Sequence, residues 1–187
     1  SNYPDKYVIY NYLEQTWYNG NLTRTSWLDN HLRSYPMATD YSTTYTSGNL
    51  IYHEDGVDDN STGVAAPISA YIKSADFDIG DGDHFAYVWR IVPDVTFDGS
   101  TASAPVVNMT MLPRQNPGAS YGNTDNPTVT SGNNYSGQRT FSVQQFTQYA
   151  YVRVRGRQMS LEISSDTLGV QWQLGAPRLD TRPDGRR

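Results

Sequence analysis

From Tyr151 to Ser164 the chain alternates with a period of two, a pattern that suits strands and not a helix. Val152 and Val154 fall on one side and Arg153 and Arg155 on the other, because successive strand side chains point to opposite faces. Past Gly156 the phase inverts: Met159, Leu161 and Ile163 are apolar, while Gln158, Ser160 and Glu162 are polar. A one-residue inversion at a glycine marks a β-bulge or a tight turn. The same alternation recurs at Val107, Met109 and Met111 against Asn108 and Thr110, and at Val170, Trp172 and Leu174 against Gln171 and Gln173. Helical periodicity is nearly absent, apart from one candidate turn near Ser26–Leu32. An all-β fold follows, with this stretch a stiff module that presents arginines.

Turn signals and apolar runs divide the chain. Lys6–Tyr12 and Thr16–Tyr18 read as a hairpin turning through Glu14-Gln15, and Asn19-Gly20 is the strongest short turn signal. Arg24–Leu28, Met37–Ala38 and Asn49–His53 read as further short strands. With Trp17 and Trp27 about ten residues apart, this rhythm matches propeller-blade strands. Composition shifts at Asp58–Pro67, which sets the expected division: 1–66 as blade-like strands of a larger domain, and 67–187 as an antiparallel β-sandwich-like unit. In the second part, strands are expected at Pro67–Ile72, Phe85–Val92, Pro105–Leu112, Arg139–Val143, Ala150–Arg155, Gln158–Ser164 and Gly169–Leu174. A Gly/Asn/Pro/Ser-rich loop spans 114–137, a length uncommon inside a compact domain. The first residue is Ser1, and an apolar strand begins almost at once. A fragment of a longer polypeptide accounts for both, since that strand needs neighbours.

Charge is polarised. Residues 54–98 carry ten acids against Lys73 and Arg90, a net of −8, whereas residues 139–187 carry eight arginines against four acids, a net of +4. The overall −5 conceals this split. Complementary faces of this kind steer and register contacts between copies. Freestanding nucleic-acid binding does not suit an acidic chain, although arginines lining a DNA conduit remain compatible with it. The chain has no cysteine, which excludes disulfides and thiolate metal sites and suits a reducing cytoplasm. No run is long enough for a membrane-spanning helix.

Candidate chemistry is sparse. Asp76-Phe-Asp-Ile-Gly-Asp81 is the one cluster suited to a hard cation, with Asp76, Asp78 and Asp81 as calcium ligands. Its spacing is not that of an EF-hand, and acids in a Gly-rich connection ordinarily form a solvated turn, so no cofactor is expected beyond that candidate. His53-Glu54-Asp55 and His31 near Asp29 would need converging partners to act as acid and base, and the chain holds only three histidines. Asp94 and Asp98 could in principle flank a glycosidic bond, but acids this numerous create such pairs by chance. Nucleophile elbows and phosphate-cradling loops are missing, so no catalysis is expected. The 13% of aromatic residues leaves carbohydrate binding as the alternative, because tyrosine and tryptophan faces stack on sugar rings.

Tyr7-Val-Ile-Tyr-Asn-Tyr-Leu-Glu-Gln-Thr-Trp17, Ser74–Gly82, Arg155-Gly-Arg-Gln-Met159, Gln171–Gly175 and Arg178–Arg187 together resemble the C-terminal region of virion structural proteins from short-tailed bacteriophages. These are of the tail tubular, nozzle-like or head–tail stabilisation type, and the likeness covers most of the chain. It implies a β-propeller-bearing subunit of a homo-oligomeric ring, commonly hexameric, in the virion tail. Such a ring continues the DNA channel below the portal and adaptor, with no membrane insertion, and is made in the host cytoplasm. The family carries no catalytic residues. Arg153, Arg155, Arg157, Arg178 and Arg182 are therefore the expected subunit-interface or DNA-proximal residues. The host-surface carbohydrate-binding tail module is the alternative.

Overall fold

The computed structural model describes residues 4–30, 32–40, 48–80, 82–119, 121 and 138–186. Every regular element among them is a strand. They are β1 (Lys6–Asn11), β2 (Thr16–Asn21), β3 (Ser26–Leu28), β4 (Met37–Asp40), β5 (Asn49–Tyr52), β6 (Asp58–Asp59), β7 (Ala66–Pro67) and β8 (Ala70–Lys73). They continue with β9 (Ala86–Val92), β10 (Val95–Thr96), β11 (Val106–Arg114), β12 (Arg139–Gln144), β13 (Ala150–Gly156), β14 (Gln158–Ser165), β15 (Gln173–Leu174) and β16 (Arg178–Pro183). The chain divides into two units, Ser1–Gly56 and Val57–Arg187. The division falls before the expected 66/67 because the small β6–β7 ladder belongs with the second unit, where the Asp58 carboxylate accepts the Gly169 N–H at 2.7 Å.

The first unit holds the antiparallel β1–β2 hairpin and a separate β3-β4-β5 meander. These sheets, among the described residues, fall short of a four-stranded blade. The hairpin turns at Tyr12–Gln15, where Asn11 Oδ1 accepts the N–H groups of Leu13 and Glu14 and Gln15 takes a positive φ of 54°. Asn19-Gly20, expected to turn, instead lies within β2 opposite Val8 and Tyr7. The Tyr7 ring lies over Gly20, so near that a β-carbon there would fall 2.5–2.7 Å from it. Packing across the ladder has overridden the local turn propensity. Ser26–Leu28, where a helical turn was a candidate, is extended and pairs with β4. Among this unit's described hydrophobic side chains, only Met37 and Ala38 are buried.

The second unit is a sandwich of a four-stranded sheet, ordered β12-β11-β14-β8, and a three-stranded sheet, ordered β13-β9-β16, extended by the β10–β15 pair. Alternation fills the space between the sheets. Met109 and Met111 of β11, Met159 and Ile163 of β14, Val88 and Ile91 of β9, and Val152 and Val154 of β13 form one buried cluster. Burying side chains of this size supplies roughly 1.5–3 kcal/mol each, the dominant favourable term in folding. The phase inversion at Gly156 is neither a bulge nor a hairpin: there the chain leaves one sheet for the other, Arg157 alone separating β13 from β14. Gly156 is required at this crossing, since a β-carbon would lie 2.9 Å from Pro113 Cβ and 3.1 Å from the carbonyl oxygens of Arg114 and Gln158. Arg178–Pro183, beyond the last of the expected strands, is a full strand along β9.

Candidate interaction surface

The outer face of β13-β9-β16 gathers the chain's most organised polar and aromatic side chains. Trp89 stands at its centre because both neighbouring ladders slip there. On β13, Val152 and Arg153 together oppose Trp89, between the pairs Tyr151↔Arg90 and Val154↔Val88. On β16 the pairing steps from Asp180↔Arg90 directly to Thr181↔Val88. The extra residue on β13 is accommodated by Arg153, whose φ of 52° is left-handed, a region an L-residue adopts at a cost of about 1–2 kcal/mol. Val152 and Val154 both stay buried across the bulge, and the Arg153 guanidinium lies 5.0 Å from the Trp89 ring centre.

Arg182 reaches the same ring from β16 at 5.6 Å, although 29 residues separate the two arginines in sequence. Around this pair, Tyr151 meets Trp89 edge-on at 5.8 Å, Tyr149 meets Tyr151 at 5.5 Å and Tyr87 lies 6.3 Å from Trp89. Arg90 sits over Tyr149 and ion-pairs with Asp180 at 3.2 Å. Neither Arg153 nor Arg182 has a carboxylate partner among the described residues. A stacked guanidinium engages the aromatic face through its plane, so its in-plane N–H groups stay available for a carboxylate or phosphate.

The other candidate arginines have different work. Arg155 stacks on Phe85 at 3.8 Å and donates to the Asp184 carboxylate at 2.6 Å and to the Asp184 carbonyl at 3.1 Å. Arg157 donates to the carbonyls of Asp83 at 2.9 Å, Gly82 at 3.4 Å and Arg186 at 3.0 Å, tying the turn before β9 to the end of the chain. Both hold the fold together. Arg178 is exposed at the start of β16, opposite Val92. The structure thus brings Arg153 and Arg182 to one site and leaves Arg155, Arg157 and Arg178 outside it.

The calcium candidates are dispersed among other contacts. Asp76 ion-pairs with Arg114 at 3.1 Å and accepts the Tyr121 hydroxyl at 2.9 Å, and that tyrosine ring lies between Lys73 and Arg114, each 4.1 Å from its centre. Asp78 is 3.5 Å from the Gln158 amide. Asp81 lies outside the described residues, as do His31, residue 120 and residues 122–137 of the long loop. Among the described residues, no group of three or more His, Asp or Glu side chains is placed to hold a metal ion.

His53 lies in the first unit, where its Nε2 accepts from Arg24 Nε at 2.8 Å and its ring rests 4.7 Å from Trp27. Burial, and then the Arg24 charge, hold it below its ordinary value of 6.5, with Glu54 opposing. A neutral imidazole is the form that can accept this bond. Trp89, Tyr87, Tyr149 and Tyr151 are residues of this surface that sequence reasoning did not single out. The available signal was the alternation of Tyr87 and Trp89 with Val88, which puts the aromatics on the face opposite the buried valine. The chain matches no protein-family model and no curated protein sequence.

Proposed function

We propose that this chain is a structural subunit of a bacteriophage tail, part of a nozzle or tail-tube ring that forms the channel for DNA ejection. The observation that carries the assembly reading is the surface of the first unit. Val8, Ile9, Tyr12, Leu13, Trp17 and Leu28 are all at least half exposed there, and among the described residues only Met37 and Ala38 are buried hydrophobics. Apolar surface so extensive, on so small a core, is characteristic of chains whose core is completed by neighbours. The tail itself is named from the resemblance of the segments at 7–17, 74–82, 155–159, 171–175 and 178–187. In this reading the β3-β4-β5 meander contributes strands of a propeller blade, the ring is hexameric, and adaptor and other tail proteins flank it. Acids of the 54–98 stretch that lie outside subunit contacts face passing DNA and keep the phosphates from adhering.

Negative-stain imaging of the purified protein tests this: closed rings are the expected result, and a monodisperse monomer at every concentration would refute it. A second reading, a host-surface carbohydrate-binding tail module, draws on Tyr149 and Tyr151 beside Trp89, since the half-exposed tyrosine rings offer stacking faces to sugars. Glycan-array binding without rings favours that reading.

A further inference from the structure

We infer that the second unit docks head-to-tail on a second copy of itself, the Arg153–Trp89–Arg182 clamp of one copy receiving an acidic pole of the next. The inference rests on the assembly reading above and names the contact that reading requires.

The acidic pole is built by three loops that hydrogen bonds tie together. Asp58 Oδ1 accepts the Gly169 N–H, the Gly169 carbonyl accepts the N–H groups of Thr101 and Ala102 at 2.9 and 3.0 Å, and Ser100 Oγ donates to the Gln171 carbonyl at 2.8 Å. Residues 57–67, 97–104 and 165–171 thereby converge, carrying Asp58, Asp59, Asp98 and Asp166 and not a single lysine or arginine. Asp98 and Asp166 are exposed with no cationic partner among the described residues. The pole lies beyond the Val92 end of β9, following β10, whereas Arg182 is paired toward the opposite end, at Tyr87.

Charge complementarity selects the occupant. Among the described residues, the clamp offers two guanidiniums without carboxylates, and Asp98 and Asp166 offer carboxylates without cations on a different surface. Two different faces that fit each other make a heterologous contact, and repetition of such a contact closes into a ring when the rotation allows. The clamp is assembled within one chain: Trp89 lies within cation–π range of both guanidiniums, and a left-handed backbone at Arg153 places one of them. Arg155 and Arg157 are excluded from the contact by their intramolecular bonds.

Charge exchange followed by sedimentation velocity tests the pairing. The double variants Arg153→Glu/Arg182→Glu and Asp98→Lys/Asp166→Lys are each expected to weaken salt-sensitive self-association about tenfold or more. An equimolar mixture of the two is expected to associate again, because each reversed face then meets its complement. Near-UV circular dichroism checks the fold, and Arg153→Gln/Arg182→Gln substitutes should the glutamates prevent folding. For the wild-type chain, raising salt from about 0.05 M to about 0.5 M weakens the contact. Association untouched by either double variant, or lost and not restored on mixing, overturns the inference and leaves the structural-subunit reading standing. Binding of single-stranded DNA or of an acidic glycan at the clamp, without self-association, also overturns it. A wild-type chain that stays monomeric throughout overturns both.

Discussion

Arg153 separates two energies that ordinarily act together. Its φ of 52° costs about 1–2 kcal/mol for any L-residue, and its guanidinium over Trp89 returns roughly 0.5–1 kcal/mol as an exposed cation–π contact. Arg153→Ala keeps the strain and loses the contact, so destabilisation by about 0.5–1 kcal/mol is expected. Arg153→Gly loses the same contact and removes the strain, while the looser unfolded chain takes back about 0.4–1 kcal/mol. Glycine should therefore exceed alanine by about 0.5–1 kcal/mol and lie near the parent protein. The assay is urea unfolding by tryptophan fluorescence in a Trp17→Phe/Trp27→Phe background, so that only Trp89 and Trp172 of the second unit report. At an m-value of about 2 kcal/mol per molar, the midpoints of the two variants differ by roughly 0.3–0.5 M. Alanine as stable as glycine, or more so, would refute the claim that the bulge stores strain to place this side chain.

Gly156→Ala is expected to destabilise the second unit by about 1–3 kcal/mol in the same assay, because the new β-carbon meets Pro113 and two carbonyl oxygens at 2.9–3.1 Å. Arg157→Ala removes charged hydrogen bonds worth about 1.5–3 kcal/mol each when well formed, and should release the segment after β16. Faster amide exchange at Asp184 and Phe85 reports it, and Arg157→Lys should not restore protection, since one ammonium cannot span the carbonyls of Asp83 and Arg186. The first unit should lose stability as pH falls. His53 binds its proton less readily when folded, so the unfolded chain takes up that proton first, starting near its ordinary 6.5. The contribution is whole above that value and declines as pH drops through the depressed folded value. The measurement is unfolding against pH, with His53→Gln expected to flatten the profile.

Two alternating series were legible as strands, whereas of the expected Gly169–Leu174 only Gln173–Leu174 is one. Val107, Met109 and Met111, or Met159, Leu161 and Ile163, declare a buried face by period alone, and each series lies in the core. β16 was not legible, because Arg178-Leu-Asp-Thr-Arg-Pro offers a single apolar residue to the interior and is an edge strand, where polar side chains are normal. Gly156 was correctly singled out, but a change of phase has the same sequence signature whether the chain bulges, turns or crosses to another sheet. The clamp was half legible. Alternation assigned Arg153 and Arg155 to one side, yet bulge geometry and the partner strand decide that Arg153 meets Trp89 while Arg155 meets Asp184. Those partners lie roughly thirty to sixty residues away in sequence, beyond the reach of any local pattern.

Alternation also divides the two units by how they can associate. Tyr7-Val-Ile-Tyr10 is apolar on both faces of β1, and such a strand needs cover on both sides to become stable. In the second unit β13 keeps one face wet while β11 is covered on both faces over Met109–Pro113, and the sandwich completes its own core between its sheets. In the proposed assembly, contacts made by the first unit would be hydrophobic, and salt would leave them intact or strengthen them. Contacts made through Arg153 and Arg182 are ionic and screened within about 8–10 Å at ordinary ionic strength. In the proposed assembly the apolar hairpin would supply adhesion with little discrimination between partners and the charged clamp the discrimination, because a like-charged face opposed to it is repelled. A chain carrying both surfaces can remain bound to its neighbours while the clamp alone fixes which face meets which, and a salt titration separates the two contributions.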